Sequence, residues 1–464
     1  MNFKQLIIAT SALFLGCSTN APIQSKDQPL LQPLQFTGVN LNGAEFGSNL
    51  PGKEGYDYAF PTFADVDYFA SKNLNAFRIG FSWERLQPKA NGDFDPAYFA
   101  KLDALTKYAT SKGITVFLSP HNYARYYSQI IGSPEVPNHV FANLWMRLAT
   151  HYKSNPLVAI SLMNEPHDMD TTKWLSAANA AITAIRGTGN QTLIAVPGNA
   201  WTGAGNWFAT WVQGGASSTI MNYVVDPANN YVIEIHAYAD KDFSGSYANG
   251  CSTETFGAEL LKRMTEWAKT NKKRILVGEL NAIDTPVCQK TIQNMLIHMK
   301  NNPDVYAGWL IWSGGSRWGT TYRLNVNKNP DGSDNAKMLW YLPYIPNRNA
   351  AAAPDAGAPV DAGNPQMLPS IRITSSTPTS YCAELDVKNA SSQTRVWTFV
   401  NVNIFDATIT NSWQTSMNKR TGIVKFEPLD WNKNVASNTK QTFGWCALYT
   451  SGKVLPQVIT YEFK

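Results

Sequence analysis

Val158-Ala159-Ile160-Ser161-Leu162-Met163-Asn164-Glu165-Pro166 is a short apolar run that stops on an amide, a carboxylate and a proline. Branched and aliphatic side chains without a polar alternation read as a strand buried on both faces. A second run, Ile275-Leu276-Val277-Gly278, stops in the same way on Glu279. Six more runs share the pattern: Gly38-Val39-Asn40, Ala76-Phe77-Arg78, Thr115-Val116-Phe117-Leu118, Leu193-Ile194-Ala195-Val196, Val232-Ile233-Glu234-Ile235 and Gly308-Trp309-Leu310-Ile311. They recur roughly 40 residues apart, as the strands of a (β/α)8 barrel do. Helical spacing fills the intervals, with Tyr98, Leu102 and Leu105 three and four residues apart and similar patterns over 141–152 and 256–267. Helices alternating with buried strands predict a parallel sheet, and eight such units predict its closure.

A closed barrel builds its site at the carboxyl ends of its strands, so the polar residues that end these runs are the candidates. They are Arg78, His121 with Asn122, Asn164 with Glu165, Asn199 with Trp201, His236 with Tyr238, Glu279 and Trp312. Two carboxylates on different strand ends are the minimum machinery for cutting a glycosidic bond, one giving a proton to the departing oxygen and the other meeting the anomeric carbon. Taken singly, each glutamate has a plainer reading, Glu165 as a helix cap and Glu279 in a surface ion pair. The six histidines are scattered among aromatics and amides, so no metal set emerges and no cofactor is called for.

The chain of 464 residues is long enough for two or three domains, and 12% of it is aromatic, with 15 Trp and 20 Tyr. Flat rings suit the apolar face of a pyranose, although part of these tryptophans must simply fill cores. The net charge of +5 is spread out, and the longest basic block, Lys272-Lys273-Arg274, suits a helix end. Without a basic stripe or a recognised motif, nucleic acid is not expected as a partner.

Residues 1–17 read as an export signal, with Lys4 ahead of an apolar run too short to span a bilayer. Leu13-Phe14-Leu15-Gly16-Cys17 is similar to a bacterial lipoprotein signal, departing from it at Phe14 and Leu15, which makes Cys17 the candidate for a lipid anchor to the membrane. Residues 18–34 form a polar tether. Setting Cys17 aside leaves Cys251, Cys288, Cys382 and Cys446, which in an exported protein pair up. Of three connectivities, Cys251–Cys288 with Cys382–Cys446 keeps each bridge inside one domain. Residues 347–368 are an Ala/Pro/Asp/Gly-rich linker that lacks the apolar surface to order itself. It separates a barrel over 35–346 from residues 369–464, whose alternating β-branched and aromatic runs predict a small all-β sandwich.

Taken in order, Gly38-Val39-Asn40-Leu41, Phe77-Arg78, His121-Asn122-Tyr123-Ala124-Arg125, Met163-Asn164-Glu165-Pro166-His167-Asp168, Pro197-Gly198-Asn199 with Trp201, His236 with Tyr238, and Gly278-Glu279 resemble glycoside hydrolase family 5. The resemblance is strongest to secreted endo-β-1,4-glucanases of the fungal endoglucanase II type. It implies Glu165 as general acid/base and Glu279 as nucleophile of a retaining double displacement, with the carboxyls about 5 Å apart. It further implies that Arg78 holds Glu279 ionised, that Asn164 binds the hydroxyl beside the anomeric centre, and that His121, His236 and Tyr238 position nucleophile and sugar. Trp312 would floor the central sugar site. His121 and Trp201 also admit a purely packing role. Cys251 and Cys288 fall where that subfamily has cysteines. Outer sugar sites differ, in the loop from Ala44 to Tyr58 and in Ser313-Gly314-Gly315-Ser316-Arg317-Trp318.

The last part is similar to a family 2 carbohydrate-binding module, through Leu385-Asp386-Val387-Lys388-Asn389, Thr410-Asn411-Ser412-Trp413 and Leu429-Asp430-Trp431-Asn432. That similarity implies Trp413 and Trp431 as exposed platforms for cellulose and Trp397 as a core ring; the alternative packs Trp413 and Trp431 too. A third platform of that family falls near Thr377 here. The expectation is an exported monomeric endo-β-1,4-glucanase acting on cellulose or a related β-linked polysaccharide. Its rivals are a β-mannanase or xyloglucanase on the same barrel and a non-catalytic surface lipoprotein that only binds glycan.

Overall fold

Each of the eight apolar runs is a strand in the computed structural model, which describes residues 34–245, 250–319, 321–346, 367–389, 391–450 and 456–463. The export segment with Cys17, the tether up to residue 33 and the linker over 347–366 lie outside the described residues. The strands are β1 (Phe36–Leu41), β2 (Ala76–Phe81), β3 (Thr115–Pro120), a short hairpin β4 (Arg125–Tyr126) with β5 (Gln129–Ile130), then β6 (Val158–Ser161), β7 (Ile194–Pro197), β8 (Tyr231–His236), β9 (Ile275–Leu280) and β10 (Tyr306–Gly314). Leaving the hairpin aside, they close into a parallel barrel in sequence order, with β10 paired to β1.

Several of the helices between them start on side-chain caps. Thr62 forms a capping box with Asp65, Asp95 caps Pro96–Ser111, and Thr285 caps Pro286–Lys300, the last two with proline in the first turn. Phe256–Asn271 stops where Lys272 turns left-handed (φ 53°), so the basic triplet does close a helix. Trp145 and Trp174, both fully buried, donate from their indoles to the carbonyls of Leu162 (3.1 Å) and Pro197 (2.7 Å). Those bonds pin helices to the outgoing ends of β6 and β7, where the loops must be held still.

Inside the barrel, residues stack in layers. Phe36, Ala76, Phe117, Ala159, Ala195, Val232, Leu276 and Leu310 fill the lower layer, large beside small. Two residues further along four of these strands the inward positions turn polar: Arg78, Ser119, Ser161 and Glu234, all buried. A barrel that puts an arginine and a glutamate one step above an apolar plug has given its upper layer to charge rather than to packing.

The C-terminal strands are β11 (Met367–Ser376), β12 (Ser380–Asn389), β13 (Arg395–Trp413), β14 (Ser416–Met417), β15 (Thr421–Glu427), β16 (Asn434–Val435), β17 (Lys440–Tyr449) and β18 (Gln457–Phe463). Their pairings are antiparallel. The long β13 joins β15, β16, β17 and β18. Alternation along β12 buries Tyr381, Ala383, Leu385 and Val387. Trp397 is in the core as expected, stacked on Phe443 at 5.1 Å with its indole donating to the Asn432 carbonyl. Disulfides join Cys251 to Cys288 and Cys382 to Cys446, one within each part of the chain.

Candidate active site

The placement of Glu279 depends on a break in strand alternation. Ile235 of β8 pairs with Val277 and His236 with Glu279, while on the other edge Trp309 pairs with Val277 and Ile311 with Leu280. β9 therefore carries one extra residue against both neighbours, a bulge at Gly278 that lets Glu279 follow it to the inside. There Arg78 Nη1 donates to Glu279 Oε1 (2.9 Å) and Tyr238 donates to Oε2 (2.9 Å). Arg78 also donates to Asn40 Oδ1 (2.9 Å), Asn164 Oδ1 (2.8 Å) and Ser161 Oγ (3.2 Å). One guanidinium thus orients the carboxylate, both amides and the strand floor.

Glu165 comes from the other flank, on the loop after β6, with its backbone left-handed (φ 44°). Such a conformation costs a glutamate about 1–2 kcal/mol and concentrates where a site must be shaped. His236 Nδ1 lies 2.7 Å from Glu165 Oε1 and 3.3 Å from Glu279 Oε2. One oxygen of each carboxylate and a ring nitrogen of His236 all fall within 4.8 Å of one another. The two side chains differ in access: Glu165 keeps 19% exposure and Glu279 only 4%.

Electrostatics couple the three groups. Burial pushes Glu279 up to about 7, with the Glu165 charge adding to the rise and His236, Arg78 and Tyr238 opposing it. Sequence reasoning expected Arg78 to keep this carboxyl low; full desolvation outweighs one guanidinium. Burial acts on His236 too, disfavouring its charge, yet the Glu279 charge, the hydrogen bond to Glu165 and the nearby Glu234 carboxylate prevail and push it up to about 9. As an imidazolium it donates towards both carboxyls. His121 goes the other way, well below its usual range, through burial and the charges of Arg78 and His236. Its Nε2 meets the Asn164 amide and the Tyr123 hydroxyl, each at 3.1 Å, and Asn164 is thereby held at both ends of its amide.

Aromatic rings wall one side. Trp312 stacks near His121 (5.6 Å, 26°) and donates to the Tyr322 hydroxyl (2.8 Å), and Tyr322 in turn stacks on Trp318 at 3.8 Å. Trp201 is 37% exposed and stacked on His167 at 4.8 Å, with its amide donating to the Pro166 carbonyl. Asn40, Ser161, Glu234 and Tyr322 belong to this constellation but escape the strand-end criterion. Glu234 lies inside its strand, Asn40 and Ser161 sit one residue short of the apolar Leu41 and Leu162, and Tyr322 lies on a loop with no periodic signal.

In the C-terminal part, Trp413 ends β13 and Trp431 sits on a turn, and the two segments are joined by a bond from Asn432 Nδ2 to the Gln414 carbonyl (2.7 Å). Trp431 is 65% exposed, whereas Trp413 is half-buried because its ring lies over Gly444 of β17. A Cβ at Gly444 would fall 2.2 Å from that ring.

Residues 32–337 match the model of the cellulase family, glycosyl hydrolase family 5, and residues 369–462 match that of a cellulose binding domain. Endo-beta-1,4-glucanase B of Aspergillus niger is 36% identical over 343 residues, 74% of this chain and 99% of that protein. Among solved structures, an endo-beta-1,4-glucanase from Xanthomonas axonopodis pv. citri is 42% identical with a TM-score of 0.66, covering 67% of this chain and 98% of the other. An endoglucanase from Pseudomonas stutzeri, solved with cellobiose, is 31% identical with a TM-score of 0.62, covering 68% and 93%.

Proposed function

From the premise that this chain belongs to glycosyl hydrolase family 5 and ends in a cellulose-binding module, we propose a retaining endo-β-1,4-glucanase in which Glu279 is the nucleophile and Glu165 the acid/base. The observation that carries these roles is the pair of carboxylates sharing one imidazole within 4.8 Å. That spacing leaves no room for a water between carboxyl and sugar, as inversion would need.

Glu279 is met by donors alone, Arg78, Tyr238 and His236, so it is the carboxyl suited to carry charge. It attacks the anomeric carbon as the bond to the departing oxygen breaks, and that oxygen takes the proton held by Glu165. Water then gives its proton to the Glu165 carboxylate and attacks the same carbon, releasing Glu279. Glu165 gives one proton to the departing oxygen and takes one from the incoming water, which suits the more exposed of the two. Asn164, fixed by Arg78 and His121, presents its amide to the sugar, with Trp312 as floor and Trp201 as an outlying ring.

Trp413 and Trp431 would stack on cellulose, and the linker would raise the local concentration of catalyst there. Two disulfides suit an oxidising compartment, in keeping with export through the leader and anchoring at Cys17. The relatives reported above carry endoglucanase names, and no observation favours mannan, xyloglucan or binding without cleavage. A substrate panel on the purified monomer, with Glu279→Gln as control, tests the reading: carboxymethylcellulose should be cut with retained anomeric configuration and the variant should be inert. Inverted product, or a turning-over variant, refutes it.

A further inference from the structure

β8 carries a carboxylate that no step above uses. Glu234 is fully buried, and its Oε2 accepts from Ser161 Oγ at 2.7 Å. Its Oε1 lies 3.1 Å from Arg78 Nε and 3.6 Å from His236 Nε2. Among the described residues neither that oxygen nor that ring nitrogen makes a hydrogen bond, so their attraction to their neighbours is that of ion pairs. The fold makes room for the carboxylate at the nucleophile's doorstep: a Cβ on Gly278 would fall 2.4 Å from Oε1 and 2.8 Å from Cγ. The glycine before Glu279 is therefore a space reserved for Glu234.

Charge explains why such a group is kept. With a proton on Glu165 and Glu279 ionised for attack, the cluster holds two cations, Arg78 and His236, against two anions, Glu234 and Glu279. Without Glu234, two buried cations would share one anion, and the imidazolium is the one able to discharge.

We propose that Glu234 is a positioning residue, the counter-ion that keeps His236 doubly protonated so that Nδ1 presents an N–H to both catalytic carboxyls. The proposal rests on the roles given above to Glu165 and Glu279. An N–H there steadies the Glu165 carboxylate after the first step and Glu279 as it leaves in the second, whereas a neutral ring could offer them a lone pair. The groups facing His236 act together: Glu165 from the β6 loop, Glu279 from β9, Glu234 and Tyr238 from its own segment, Arg78 and His121 from across the barrel. Burial opposes the charged ring, and these carboxylates outweigh it.

Full-length protein labelled with 15N-histidine tests this, the His236 signals being assigned by their loss in His236→Asn. In the wild type both ring nitrogens should show imidazolium shifts at pH 7; a neutral ring there overturns the proposal and needs no variant to fold. Glu234→Gln should lower by about one pH unit both the pH at which the ring signals turn neutral and the alkaline limb of kcat/KM, with Glu234→Asp recovering part of both. An unmoved limb with an unmoved imidazolium signature overturns the proposal. Turnover surviving in Glu279→Gln would instead overturn the catalytic roles, while the state of the His236 ring would still report on Glu234.

Discussion

Replacing Arg78 with methionine keeps the bulk of the side chain and removes the charge on which the upper barrel layer depends. Arg78 is 1% exposed and lies within 3.2 Å of Glu279, Glu234, Asn164, Asn40 and Ser161. Its loss leaves two buried carboxylates to the single charge of His236, and breaking buried pairs in this way costs about 3–5 kcal/mol at neutral pH. The cost should depend on pH in a defined direction. In the wild type Arg78 overcomes burial and holds Glu234 below the usual carboxylate range, so Glu234 contributes stability above its unfolded pKa that is lost as pH falls through the folded one. In the variant burial prevails, and the folded pKa rises above the unfolded value of about 4.3. The penalty is then full above the raised pKa and fades as pH falls towards the unfolded one. Guanidinium unfolding of the barrel at pH 7.5 and pH 4.5 measures it. The gap between wild type and Arg78→Met should shrink by at least about 1.4 kcal/mol at the lower pH, the equivalent of one pKa unit. An equal gap at both values would mean that Arg78 acts by packing alone, and the electrostatic reasoning would fail.

Glu165→Gln should slow cellulose hydrolysis by about 10²–10⁴-fold yet spare the first step on an aryl cellobioside whose leaving group needs no proton; equal losses on both substrates would speak against Glu165 as the acid. Trp413→Ala with Trp431→Ala should weaken retention on insoluble cellulose by about 5- to 160-fold, from two ring contacts of about 0.5–1.5 kcal/mol each. Gly444→Ala, which touches no sugar itself, should reduce retention by lifting the Trp413 ring, and unaltered binding would show that the ring's seat is irrelevant. Removing the Cys251–Cys288 bridge, which spans 37 residues, should cost up to ~4 kcal/mol of barrel stability, read as a lower unfolding midpoint for Cys251→Ala with Cys288→Ala.

The barrel was legible because parallel strands buried on both faces leave an unmistakable trace, apolar runs that end abruptly on polar residues. Val158 to Leu162 and Ile275 to Gly278 needed no partner to be read as strands, and their terminal carboxylates followed from the rule that barrels work at their carboxyl ends. The sandwich was legible from alternation. Glu234 was in view as a strand residue, but nothing local says that it meets Arg78 and His236, since those contacts cross the barrel. Strict alternation would have turned Glu279 away from the cleft once Gly278 faced in, and only pairing with both neighbouring strands reveals the extra residue that turns it back. The same holds for the proton economy of the pair: residue types along a chain show which groups can carry charge, but desolvation and the distances between them set which of those groups does, and both exist only after the chain has closed on itself.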